Sequence, residues 1–142
     1  RPPGRCGAPG GRPPQGRGRM KVAVGTDLVR IDRITTAIDQ LGDAFLVRVF
    51  TERELALCAG DAQRLAGRWA AKEAAVKALG LGVDSVSLVE IEVLPAEDGR
   101  PLVRLTGAAA AAARRSEWTT WSASIAHDGD YATATVVALT LG

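Results

Sequence analysis

A tryptophan, a glutamate and a lysine stand four residues apart in the run WAAKEAAVK, as Trp69, Glu73 and Lys77. On a helix that spacing lines all three along one flank. At about 100° per residue, Leu65, Trp69, Lys72, Val76 and Leu79 make an apolar stripe, with Glu73 and then Lys77 on its shoulder. A carboxylate and an ammonium are thereby held where a buried face meets an opening. Asp27 follows the short apolar strand KVAVG, at a strand end of the kind that delivers a side chain to a site. Two hard oxygen ligands beside a cation suit a divalent metal and a phosphorylated ligand. Each feature also has a plainer reading. Asp27 could cap a turn or helix, and Glu73–Lys77 could be a surface pair worth about 0.2–0.5 kcal/mol. Gly80 and Gly82 could simply end a helix, and His127 could be an ordinary polar residue at a strand-to-turn junction.

The elements that must position these residues are legible in the pattern. Lys21–Asp27 reads as a strand and Ile31–Leu41 as a helix, with Ile31, Ile34, Ile38 and Leu41 on one face. Asp43–Phe50 reads as short and helical. Thr51 offers a capping box with Glu54 for the helix TERELALCAG. Asp61 caps a long helix that runs through Leu79 and stops at Gly80. Val86–Leu94 has strand composition, and EDGRP turns it into Leu102–Leu105 as a hairpin. Thr106 caps the alanine-rich helix Gly107–Arg115. Thr119–Ala126 and Tyr131–Leu141 alternate as antiparallel strands joined at HDGD. The expected fold is α+β, an antiparallel sheet with a long central helix, in the order β-α-α-α-β-β-α-β-β.

Charge is unevenly spread over the 142 residues. Residues 1–19 hold five arginines and no acid, which leaves 13 basic and 16 acidic residues in the body. This Arg/Pro/Gly-rich leader has no apolar run that could pack or serve as a secretory signal, and is expected to be disordered and without function. An arginine–glycine tail can bind RNA, but this one has no aromatic residue to stack on a base. Nucleic-acid binding through it is therefore the weaker alternative, and residues 20–142 are expected to form one domain. Cys6 and Cys58 make no metal or redox spacing, and one histidine cannot anchor a multi-histidine zinc site. With no apolar run of about eighteen residues, the sequence reads as a cytoplasmic protein without a membrane span.

Five stretches together resemble the holo-acyl-carrier-protein synthases, the small single-domain 4′-phosphopantetheinyl transferases. They are VGTDLVRIDRI (Val24–Ile34), FTERE (Phe50–Glu54), LAGRWAAKEAAVKALGLG (Leu65–Gly82), IEVLPAEDGRPLVRLTG (Ile91–Gly107) and WSASIAHDGDYATATVV (Trp121–Val137). An early G-x-D, a central W-A-A-K-E-A-x-x-K-A and a late S-I-x-H make a specific combination. The resemblance runs from Met20 to about Leu139 and leaves out the leader. Thr26, before the aspartate, and Ala126, before the histidine, depart from the family's usual residues and put fine positioning at issue.

What the resemblance implies is transfer of the phosphopantetheine arm of coenzyme A to a serine of an acyl carrier protein, releasing adenosine 3′,5′-bisphosphate. By matching positions, Asp27 and Glu73 are the Mg²⁺ carboxylates, and Lys77 contacts the coenzyme phosphates. Trp69 stands beside the coenzyme, and Gly80 and Gly82 let backbone approach it. His127 lies near the coenzyme in a site shared between subunits of a homotrimer. Arg33 docks the carrier, with Arg30 beside it. Arg68 and Lys72 are expected to add positive potential, although Lys72 falls on the apolar stripe and could snorkel. Arg48 and Arg53 could extend a basic patch that steers an acidic carrier. The chemistry fits independently, because a metal bridging the diphosphate neutralises charge and helps the leaving phosphate depart. A nearby water, a carboxylate or His127 could take the serine proton. A different Mg²⁺-dependent phosphotransferase or pyrophosphatase would use the same carboxylates.

Overall fold

The computed structural model describes residues 18–82 and 84–141. The order is β1 (Lys21–Arg30), α1 (Ile31–Leu41), α2 (Asp43–Val49), α3 (Glu52–Cys58), α4 (Ala62–Ala78), a 3-10 turn at Leu88–Glu90, β2 (Ile91–Pro95), β3 (Pro101–Leu105), α5 (Gly107–Arg115), β4 (Thr120–Asp128) and β5 (Tyr131–Thr140). β1, β5 and β4 form an antiparallel sheet in that spatial order, and β2–β3 is a separate antiparallel hairpin. The indole N–H of Trp121 on β4 donates to the Val103 carbonyl at 2.8 Å and ties the hairpin to the sheet.

α4 lies across the sheet because nearly all of its inward positions are small. Ala66, Gly67, Ala70, Ala71, Ala74 and Ala75 are buried, flanked by Leu65 and Val76. Removing this apolar surface from water stabilises the layer by about 25 cal/mol per Å². The approach is closest at Gly25, where a Cβ would lie 1.9 Å from the Ala74 carbonyl oxygen. No side chain fits there, so the G-x-D glycine sets how near β1 comes to α4. Alternation along β1 then turns Gly25, Asp27 and Val29 toward the helix and Val22, Val24, Thr26 and Leu28 away.

The α+β expectation holds, with local differences. Asp43–Val49 is a helix in its own right, so four helices rather than three separate β1 from β2. β1 does not stop at Asp27, because β5 pairs with it as far as Arg30↔Tyr131. Arg30 accordingly ends a strand instead of sharing a helix with Arg33. The strand expected over Val86–Leu94 begins only at Ile91. Glu90 explains why: its carboxylate accepts from the Ala109 N–H at 3.1 Å and its carbonyl from the Thr106 N–H. The residue at the N-cap of α5, Thr106, makes no side-chain cap, so Glu90 performs that role from a distance. Thr51 and Glu54 form the capping box, and Asp61 caps α4. No helix among the described residues is long and apolar enough to cross a membrane. The disordered leader expected over residues 1–19 falls, up to Arg17, outside the described residues.

Candidate active site

β1 and α4 bring Asp27, Glu73 and Lys77 together. The Lys77 ammonium donates to Asp27 Oδ1 at 3.1 Å and to the Thr26 carbonyl at 2.9 Å. Asp27 faces the helix from mid-strand and its side chain is only 17% exposed, whereas that of Lys77 is 54% exposed. Glu73 is half-buried one turn before Lys77. Burial pushes its carboxyl above the ordinary range, the charge of Asp27 pushes it further, and Asp84 adds to this, while Lys77 pulls the other way. The charge of Asp27 beside Glu73 makes a negative focus that a cation would relieve. Among the described residues no three His, Cys, Asp or Glu side chains are grouped to hold a metal. A two-carboxylate set suits Mg²⁺, which keeps several waters, better than a dedicated protein cage.

The glycines after α4 divide their work. Gly80 has φ of +68° and closes the helix, its N–H donating to the Lys77 carbonyl. Gly82 lines a small hollow beside Glu73 with Val76, Asp84, Ser85 and Leu88. Trp69 is half-buried against Phe45, ring centroids 6.0 Å apart. It stands between a groove of about 740 Å³, which Phe45, Arg48, Ser85, Leu88 and Glu90 also line, and a hollow formed with Arg33, Val29, Ile34 and Ala37. Arg33 is exposed there, while Arg30 donates to Asp32 at 2.8 Å. Arg53 reaches Glu92 at 3.6 Å.

His127 is not with the carboxylates. On β4 its Nε2 lies 3.0 Å from the Gln63 carbonyl, near the start of α4. Gln63 and Glu73 are about 15 Å apart along the helix at 1.5 Å per residue. Arg64, Arg68, Gly67 and His127 instead share a second pocket of about 260 Å³ with Val93, Pro95 and Ile125. Arg68 is partly committed, its Nε–H donating to the Val93 carbonyl at 3.1 Å. A Cβ on Gly67 would sit 2.9 Å from His127 Nε2, so this glycine makes room for the imidazole. A glycine inside an alanine-rich helix was the available signal for that approach. Arg64 and Asp84 carried no comparable signal.

Lys72 does not snorkel. It is fully buried, and its three protons go to Glu54 Oε1 at 2.7 Å, the Leu88 carbonyl at 3.0 Å and the Ile91 carbonyl at 2.6 Å. Burial pushes its ammonium below the ordinary range and Glu54 opposes that shift. It therefore braces the wall beside Glu73 and adds no open charge. The departures at Thr26 and Ala126 leave the site intact: Thr26 offers its carbonyl to Lys77 and turns its hydroxyl to the Ala134 carbonyl. Ala126 is exposed on the sheet's other face.

An antiparallel sheet crossed by one long helix is the architecture this chain shares with solved holo-acyl-carrier-protein synthases. The structure of the Helicobacter pylori synthase in complex with coenzyme A superposes with a TM-score of 0.74 at 32% identity, covering 81% of this chain and 98% of that one. The holo-[acyl-carrier-protein] synthase of Herpetosiphon aurantiacus is 46% identical over 125 residues, 83% of this chain and 98% of its own. That of Gloeobacter violaceus is 45% identical over 117 residues, 80% and 89% of the two chains. Residues 23–136 match the model of the 4′-phosphopantetheinyl transferase superfamily, and the chain belongs to that family of enzymes.

Proposed function

We propose that this enzyme transfers 4′-phosphopantetheine from coenzyme A to a serine of an apo-acyl carrier protein. The observation that carries this is the Asp27–Glu73–Lys77 cluster at the β1–α4 seam of a chain in this family. The serine oxygen forms a bond to the phosphorus bearing pantetheine, and the bond to the other phosphate breaks, releasing adenosine 3′,5′-bisphosphate. Asp27 and Glu73 would hold Mg²⁺, whose role is to neutralise the diphosphate and ease departure of the leaving phosphate. Lys77, on an exposed and flexible stem, meets a phosphate oxygen. The wall braced by Lys72 keeps the hollow beside Glu73 in shape.

Arg64, Arg68 and His127 make a separate cationic pocket suited to further phosphate, which Asp27 and Glu73 do not line. A homotrimer joins them, the pocket of one subunit meeting the carboxylates of the next. The sheet face turned from α4 fits that role, since Val22, Val24, Leu28 and Val137 are all exposed on it. Arg33 and Arg48 flank the apolar surface of Phe45 and Trp69 and suit an acidic carrier helix. Cys58, a free and buried thiol, accords with a reducing cytoplasm.

The test is mass spectrometry of an apo-carrier incubated with coenzyme A, Mg²⁺ and the enzyme. The carrier should gain one phosphopantetheine, and Asp27→Ala or Glu73→Ala should abolish the gain while preserving the circular dichroism spectrum. Coenzyme cleavage without any gain on the carrier would point to the pyrophosphatase alternative.

A further inference from the structure

We propose that Lys77 competes with the divalent cation for Asp27, so that the metal binds more tightly once a diphosphate draws the ammonium away. This rests on the reading of Asp27 and Glu73 as metal ligands and adds an order of events to it. Lys77 Nζ is held by two oxygens of β1, Asp27 Oδ1 at 3.1 Å and the Thr26 carbonyl at 2.9 Å. It thereby neutralises the less exposed of the two charges, since Asp27 is 17% exposed and Lys77 itself 54%. A Mg²⁺ ion held by Asp27 and Glu73 would share that carboxylate with the ammonium. That brings a divalent charge beside an ammonium already seated there. Their mutual repulsion offsets part of what the shared carboxylate returns to the metal, and removing the ammonium lifts that offset.

The stem of Lys77 provides the release. It reaches β1 from the last turn of α4, and only its head is engaged. A diphosphate entering the seam would offer the ammonium oxygens of higher charge than Asp27 and could itself supply ligands to the metal. One event therefore frees Asp27 and supplies extra ligands. Metal and coenzyme must then strengthen one another by a common factor, because linkage of two binding sites is reciprocal. A lysine acting only as a phosphate contact predicts no effect on metal binding when coenzyme is absent.

Mn²⁺ provides the probe, its free concentration read by electron paramagnetic resonance in titrations of the full chain with and without coenzyme A. Lys77→Met should bind Mn²⁺ about tenfold more tightly than wild type without coenzyme, as removal of a neighbouring like charge requires. Coenzyme should then tighten Mn²⁺ binding by a smaller factor in Lys77→Met than in wild type. Lys77→Gln should behave as Lys77→Met does, which guards against an effect of one side chain's shape. Unchanged or weaker Mn²⁺ binding in both variants overturns the inference, provided Asp27→Asn still lowers the affinity. If Asp27→Asn has no effect on Mn²⁺ binding, the metal-site reading itself falls and this inference with it.

Discussion

Glu73 carries the sharpest signature in the site, because two physical effects act on its proton in the same direction. Partial burial comes first and the charge of Asp27 second, and both raise its carboxyl above the ordinary 4.5. The sign for stability follows from linkage. A carboxyl that holds its proton more tightly folded than unfolded contributes stability that is fully present below the unfolded value. That contribution is lost as pH rises through the folded value. At neutral pH the ionised Glu73 therefore costs the fold something. Glu73→Gln should raise the melting temperature near pH 7, with the difference shrinking toward zero below about pH 4.5. Calorimetry across that range reads it directly, and a gap independent of pH would assign the effect to another cause. Mg²⁺ should raise the melting temperature of wild type and do so less for Glu73→Gln, since metal binding to the folded form stabilises it by mass action.

Among the elements, α4 links its Glu73–Lys77 flank to the rest of the fold through Lys72 and Glu54. The carboxylate of Glu54 accepts from Lys72 Nζ and the Thr51 N–H on one oxygen and from the Val93 N–H on the other. Three elements meet on one side chain, so breaking the pair leaves a buried, uncompensated charge. Lys72→Met should lower stability by about 3–5 kcal/mol in urea unfolding, and Glu54→Gln together with Lys72→Met should recover part of it. Little loss for the single variant would show that the pair is not the brace described. The helix positions were legible in the sequence, since their apolar periodicity and the caps at Thr51 and Asp61 are local signals. Lys72 was not, because a lysine on an apolar stripe reads as snorkelling unless its partner, 18 residues earlier, is known. The strand limits were missed for the same reason. β1 continues through the charged DLVR only because β5 pairs with it, and β2 starts late because Glu90 is engaged by α5. The residue types at the seam were readable, and the charge of Asp27 is close enough to act on Glu73. What spacing could not show is that Asp27 faces the helix from mid-strand, or that His127 lies elsewhere.

At the scale of the whole molecule, the Asp27–Glu73–Lys77 cluster and the Arg64–Arg68–His127 pocket occupy different ends of α4 and different strands. Asp27 pairs with Ala134, which in turn pairs with Ile125, so β1 and β4 are separated by the full width of β5. At about 4.8 Å between neighbouring strands this is roughly 10 Å across the sheet, besides the distance along α4. Proposed homotrimer assembly makes the separation useful, because a site between subunits needs Asp27 from one chain and His127 from another. Complementation tests this without a structure of the assembly. Asp27→Ala and His127→Ala chains should each be inactive or severely impaired alone. Unfolded together, mixed one to one and refolded, they should recover on the order of a quarter of wild-type sites, as random association in a closed ring requires. Val24→Glu, placed on the exposed sheet face, should block that recovery and shift the sedimentation of the wild-type background toward monomer. If both residues act within one chain, no mixture regains activity whatever its oligomeric state.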